Sequence, residues 1–350
     1  MPPSLTARRL HAQGISAPVA ASPAGAVRHL GAMQAQDYHA ALWAVGLRTQ
    51  GATRAQVEEA IERGEIVRTW PMRGTLHLLA REDVRWMVAL LAPRVQAANA
   101  ARIARDLGLD AAALTRGRHV VEKALAAGTP VTRSALYASM DAAGFASAHQ
   151  RGLHLLNWLA HEGAICQGPR HGKQPTFVLM DAWVPPSTPL GRDEALHRLA
   201  LRYLQGHGPA TAADLAWWSG LTQKDALRAL ELAGSALENE TRDGTTWWWR
   251  ADAPIPARSR AIHLLPAFDE YLIGYRDRTP VLDAPHTRRV IGINGLVAAT
   301  AIVQGRVVAT WKRAGDTDVA LAPLRALADA EHEGIQRAAQ RWRRFLGGAR

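Results

Sequence analysis

The chain has 350 residues, 48% of them hydrophobic and 21% charged, which is enough apolar material for two or three folded domains and too much for a disordered chain. Its longest apolar run, around Leu296–Val303, falls short of the roughly 20 residues that a bilayer-spanning helix needs, and the opening MPPSLTARRLHAQ lacks an apolar stretch after its arginines, so neither a membrane span nor a secretory leader is expected and a cytoplasmic setting is. The single cysteine, Cys166, excludes an internal disulfide and a multi-cysteine metal site, while 42 Lys+Arg against 31 Asp+Glu, only four of them lysine, give a net charge of +11 that suits phosphate.

The predicted elements follow a recurring plan of short helices, a turn, a further helix and a β pair, which is a winged-helix arrangement. Within 4–80, Leu5–Gln13 and Ala24–Gln34 read as helices, the second with Val27, Leu30 and Met33 at helical spacing. Thr53 and Gln56 form a capping-box pattern for a helix Ala55–Arg63, and Gly64 suits its end. Ile66–Trp70 and Thr75–Leu79 then read as a hairpin around Pro71–Gly74. Within 115–182, helices are expected over Arg118–Ala126, from Thr132 through Ala143, and over His149–His161; Ala164–Gln167 and Thr176–Met180 flank a basic tip, Gly168–Gln174. Within 193–252, Glu194–Gln205, Thr211–Ser219 and Thr222–Ala233 read as helices, the last two joined at Gly220 as in a helix–turn–helix. Leu237–Thr241 and Thr246–Arg250 form a hairpin closed by Asp243-Gly244, a strong turn dipeptide. Past the proline-containing link Ala253–Pro256 come strand-like runs Ala261–Leu265, Leu296–Val303 and Arg306–Trp311, the last two joined at Gln304-Gly305, and a helix Pro323–Leu346. The expected fold is α+β: winged-helix units at 1–112, 113–186 and 187–256, then a mixed β segment with a terminal helix at 257–350, together lining a concave DNA-binding surface.

Four segments stand out: GAMQAQDYHAALWAVGLR at 31–48, IVRTWPMRGTLHLL at 66–79, HLLPAFDEYLIGYRDR at 263–278 and GRVVATWKR at 305–313. Jointly, and over nearly the whole chain, they resemble the winged-helix DNA glycosylases of the azinomycin-resistance type, the AlkZ-like/YcaQ-like family. That family's motif is Gln, an aliphatic residue, then Gln or Asp, and Gln34-Ala35-Gln36 matches its Gln-x-Gln branch. The resemblance implies a DNA-repair hydrolase acting on bulky N7-alkylguanine adducts, associated with self-resistance to a DNA-alkylating natural product, with Gln34 and Gln36 as catalytic residues.

The chemistry is consistent with amides. An N7-alkylated guanine is already cationic and leaves without a strong general acid, so water positioning and stabilisation of the sugar cation are what remain. A glutamine offers one acceptor oxygen and two donor hydrogens, enough to orient a water but not to remove its proton. Residues i and i+2 of an ideal helix point about 200° apart, so the two amides can face one site only at a helix end or a turn; Gln36 is therefore expected near a helix C-terminus. Asp37 could orient the water or ribose, and Asp269 could support the pocket or serve a salt-bridged scaffold beside arginines.

For DNA contact the candidates are Arg68, Arg73 and His77 around the first hairpin, then Arg276, Arg278, Arg288, Arg289, Lys312 and Arg313 in the C-terminal segment. His77 reads equally as a satisfied, partly buried histidine. The loop Thr279–Arg289 could enter a groove or be plain surface, and the tryptophans of Trp217-Trp218 and Trp247-Trp248-Trp249 are divided between core packing and base stacking, with at least one of the triplet facing solvent or DNA. No lysine lies near the motif, so a Schiff base with strand cleavage is not expected. His149, His154 and His161 lack one-face ligand spacing, and neither a metal nor another cofactor is expected. The expected partner is duplex DNA containing alkylated guanine, bound by a monomer at the nucleoid. The competing classes are a non-catalytic winged-helix regulator, which would need no particular residue at 34 or 36, and a protein that sequesters the free toxin.

Overall fold

The computed structural model describes residues 4–256, 261–315 and 318–347; the expected boundary at 256–257 borders residues 257–260, which lie outside them. The architecture is mixed α+β with antiparallel sheets. Two compact units are present, one formed by Met1–Glu59, Leu196–Trp218 and Thr222–Arg350, the other by Ala60–Ala195 with Ser219–Leu221.

In the first unit the helix Pro23–Leu30 is started by Ser22, whose side chain accepts from Gly25 N, and buries Ala24, Ala26, Val27 and Leu30. It stops well before the expected Gln34, because Gly31 turns the chain at φ +79°, a conformation that favours glycine. The chain then runs extended through Met33–Gln34. Asp37 caps the next helix, Tyr38–Arg48, by accepting from Ala40 N at 3.0 Å. Every residue of that helix from Ala41 to Arg48 is buried.

A four-stranded antiparallel sheet follows, in the order Asp318–Pro323, Arg306–Ala314, Ala299–Val303, Ile262–Leu265. Leu264, Ala301, Val308 and Ala309 pack on Ile335, Ala338 and Ala339 of the terminal helix Asp329–Phe345. The expected helix Pro323–Leu346 is thus shorter at its start. The alternating Val319 and Leu321 pair with Arg313 and Trp311 as an edge strand that Pro323 ends, and the helix begins where the Glu331 side chain accepts from Ala328 N at 3.0 Å. The expected strand from Leu296 begins instead at Ala299, because Gly292–Leu296 fold into a tight turn (Gly292 N donates to Leu296 O at 2.9 Å) that leaves Leu296 exposed. Helices Tyr38–Arg48 and Asp329–Phe345 approach so closely that a methyl group on Gly46 would stand 2.2 Å from the Phe345 ring. The hairpin Leu237–Arg242/Thr245–Arg250 has positive φ at both Asp243 and Gly244, as the tight turn requires.

In the second unit the hairpins Ile66–Met72/Thr75–Ala80 and Ile165–His171/Gln174–Leu179 join edge to edge through Arg68 and Gln167, and Val131–Thr132 flanks Gln174–Leu179. A 24-residue helix, Val84–Leu107, has no counterpart in the sequence reading; it is closed by Gly108 in the left-handed conformation. The core joins Trp70, stacked on Phe177 at 6.3 Å, with Leu136, Met140, Leu155 and Leu156. Cys166 is buried, which pushes its thiol up to about 12 and leaves it inert. Among the described residues no helix is long and apolar enough to cross a membrane.

Candidate functional site

Gln34 and Gln36 lie between Gly31, which ends one helix, and Asp37, which begins the next. The expected placement of Gln36 near a helix C-terminus is corrected: it stands just ahead of a helix N-terminus, in a bend that follows the strand Met33–Gln34. Neither glutamine is in a helix, so the roughly 200° divergence of helical i and i+2 residues does not apply to them. Ala35 is fully buried, Gln34 is half-buried and Gln36 is exposed. Nε2 of Gln34 donates to Oε1 of Gln36 at 3.1 Å, so the two amides meet.

Behind them lies a dense buried polar frame. The Gln34 backbone N–H donates to Oε1 of Glu270 at 2.9 Å. Oε2 of Glu270 accepts from Trp218 Nε1 at 3.0 Å and stands 3.4 Å from His207 Nε2. Glu270, Trp218 and His207 are all buried. Asp269 caps the short helix Glu270–Ile273 by accepting from Tyr271 N, and its carboxylate takes a bidentate grip from Arg48 at 2.8 and 2.9 Å. Arg48 also donates to Gln13 O, Gln13 Oε1 and Ala44 O. All five guanidinium N–H groups are therefore satisfied inside the unit. Next to this frame, burial pushes the Tyr275 hydroxyl up to about 12; it accepts from Gln13 Nε2 and donates to the His207 carbonyl.

The other expected residues divide by position. Asp37 is exposed, but one of its oxygens is engaged in capping. Asp269 pairs with Arg48 rather than with Arg276 or Arg278. Arg276 is exposed while its backbone N–H donates to Asp214; Arg278 donates to the Leu272 carbonyl and lies over the Trp217 ring at 5.1 Å. Arg288, Arg289, Lys312 and Arg313 are exposed, with Arg289 reaching the Pro323 carbonyl and Arg313 that of Gly315. In the second unit Arg68 is buried and donates to Gln167 at 2.7 Å. His77 is fully buried, and its ring links the Thr75 carbonyl to Arg73, which stands at the hairpin tip with φ +56°. Burial turns Arg68 and His77 inward, away from a phosphate-facing position. Trp218 is fully buried, Trp217 is exposed and the Trp247–Trp249 triplet is half-buried, with Arg9 and Arg8 stacked over Trp247 and Trp249. Among the described residues no group of three or more His, Cys, Asp or Glu could hold a metal ion.

The sequence reading missed Arg48, His207 and the specific work of Glu270. A signal existed for the first. Arg48 closes the apolar run Ala40–Leu47 of its helix, where a lone arginine has no solvated face to occupy.

Comparison with known proteins bears on the family and the fold. A family model described as DNA glycosylase AlkZ-like matches residues 27–345. The chain is 27% identical over 319 residues to an interstrand DNA cross-link repair glycosylase of Streptomyces sahachiroi, covering 83% of this chain and 82% of that protein. The solved structure of the Streptomyces sahachiroi DNA glycosylase AlkZ superposes with a TM-score of 0.82 at 23% identity, covering 99% of this chain and 96% of that one.

Proposed function

The chain belongs to the DNA glycosylase AlkZ-like family, and on that premise we propose that it hydrolyses the N-glycosidic bond of N7-alkylguanine adducts in duplex DNA, leaving an abasic site. The observation that carries the reading is the pairing of Gln34 and Gln36 in the link between two helices, amide to amide at 3.1 Å. That bond commits one donor of Gln34 and one lone pair of Gln36. Oε1 of Gln34 is then the acceptor that orients a water, and the amide dipoles stabilise the sugar as positive charge develops on it. The alkylated base supplies its own activation as a cationic leaving group. Without a lysine beside the pair, the reaction stops at base release.

Arg276, Arg288, Arg289, Lys312 and Arg313 are exposed cations suited to phosphate. Arg68 and His77 serve by holding the hairpin that carries Arg73, and Asp269 by fixing the polar frame. In this reading the three helix-plus-hairpin segments are winged-helix units that bind duplex DNA carrying a bulky adduct, and the enzyme works as a cytoplasmic, nucleoid-associated monomer without a cofactor. The relative named for interstrand cross-link repair extends the candidate substrates to cross-links anchored on guanine N7, and self-resistance to a DNA-alkylating natural product is the setting in which such an activity is useful.

The test is excision from a duplex bearing one N7-methylguanine, by wild type and by Gln34→Ala and Gln36→Ala, read as released base and alkali-labile sites. Excision lost in both variants with duplex affinity kept is the expected result. A double variant that folds and excises at the wild-type rate refutes the reading, and tight binding of one DNA sequence without excision identifies a regulator instead.

A further inference from the structure

We propose that Glu270 is a positioning residue for the glutamine pair, its buried carboxylate fixing the backbone of Gln34 and through it the aim of both amides. The inference rests on the catalytic reading of Gln34 and Gln36. Gln34 ends a two-residue strand. Its N–H ends on Glu270 Oε1 at 2.9 Å. Glu270 is itself immobilised: Oε2 takes the Trp218 Nε1 proton at 3.0 Å, and its neighbour Asp269 is locked by Arg48.

The donor arithmetic explains why the residue is a carboxylate. The N–H groups of Gln34 and Trp218 each donate to one of its two oxygens, with His207 Nε2 a further 3.4 Å from Oε2, and a glutamine in its place has one oxygen and an NH2. One of the two N–H groups would then face another donor inside the protein, a mismatch that buried polar groups avoid. A carboxylate alone accepts both, and burying one is costly enough that an apolar filler would be preferred if only volume mattered.

The experiment uses the full chain with Glu270→Gln, Gln34→Ala and the double variant. Three quantities are read: single-turnover release of N7-methylguanine, affinity for undamaged duplex, and the backbone amide resonance of Gln34 in 15N-glutamine-labelled protein. Glu270→Gln should bind duplex within twofold of wild type yet release base at least tenfold more slowly. The double variant should be no slower than Gln34→Ala alone, since residues acting through one another are not additive. The Gln34 amide proton should move upfield on losing a charged acceptor. Adding Trp218→Phe to Glu270→Gln removes the competing donor and should restore part of the rate; it also provides the second variant should Glu270→Gln alone fail to fold. A wild-type rate in Glu270→Gln, full additivity in the double variant, or an unmoved amide overturns the role given to Glu270. A wild-type protein that releases no base while the amide shift is present overturns the catalytic reading of the glutamines, and the positioning role with it.

Discussion

Replacing Asp269 by Ala strands the Arg48 guanidinium. Both side chains are fully buried, and the pair is bidentate at 2.8 and 2.9 Å. Removing the carboxylate leaves a positive charge with two of its five N–H groups unpaired in a fully buried site. Breaking a buried pair from one side costs about 3–5 kcal/mol, and loss of the Tyr271 cap adds about 1 kcal/mol. The expected destabilisation of the first unit is therefore about 4–6 kcal/mol, read by urea unfolding of wild type and variant followed by tryptophan fluorescence. Asp269→Asn keeps the shape and one acceptor and should cost less. Arg48→Met combined with Asp269→Leu removes both charges and should cost clearly less than the two single losses together. A loss below about 1 kcal/mol for Asp269→Ala, against the 3–5 expected of a broken buried pair, would show that the pair is solvated and the frame behind the glutamines soft.

Three other outcomes follow from the geometry. Burial lowers the His263 imidazole to about 4, so the unfolded chain takes up its proton first as pH falls; the stability due to this residue is full above about pH 6.5 and shrinks toward pH 4, by about 2 kcal/mol at pH 5, and His263→Phe should flatten that part of the stability–pH curve. Gly46→Ala should cost about 1–3 kcal/mol by overpacking against Phe345, measured by thermal unfolding; an unchanged midpoint would mean the two helices separate freely. Each alanine at Arg288 or Arg289 should lower the log–log salt slope of duplex binding by about 0.9 if that residue meets a phosphate, and an unaltered slope places it off the DNA.

Much of the frame was legible before any coordinates. Asp243-Gly244 and Gln304-Gly305 marked their hairpins because left-handed φ is a local demand that few residues meet. Local rules also misled. Met33 continued the helical spacing of Val27 and Leu30, but the positive φ at Gly31 overrode it and left Gln34 and Gln36 in a non-helical link where their amides meet. The pair itself was found by resemblance; charge and periodicity had no purchase on two amides. Glu270 reaches Gln34 from 236 positions away, and Trp218 and His207 meet Glu270 in turn, by a route that no periodicity encodes. Arg68 read as a DNA contact yet lies buried, since a buried arginine is rare enough that composition never anticipates it, while the burial of His77 was one of the two readings its sequence left open.

The grip between Gly46 and Phe345 has a meaning in time as well as in space. The glutamines emerge early in synthesis, whereas Asp269, Glu270 and the aromatic ring seated against the helix that follows the motif emerge late. A chain released prematurely carries the motif without the anchors that aim it. Such a product lacks the contacts that aim the glutamines, so the motif and its finished site are separated in synthesis by the 236 positions between Gln34 and Glu270.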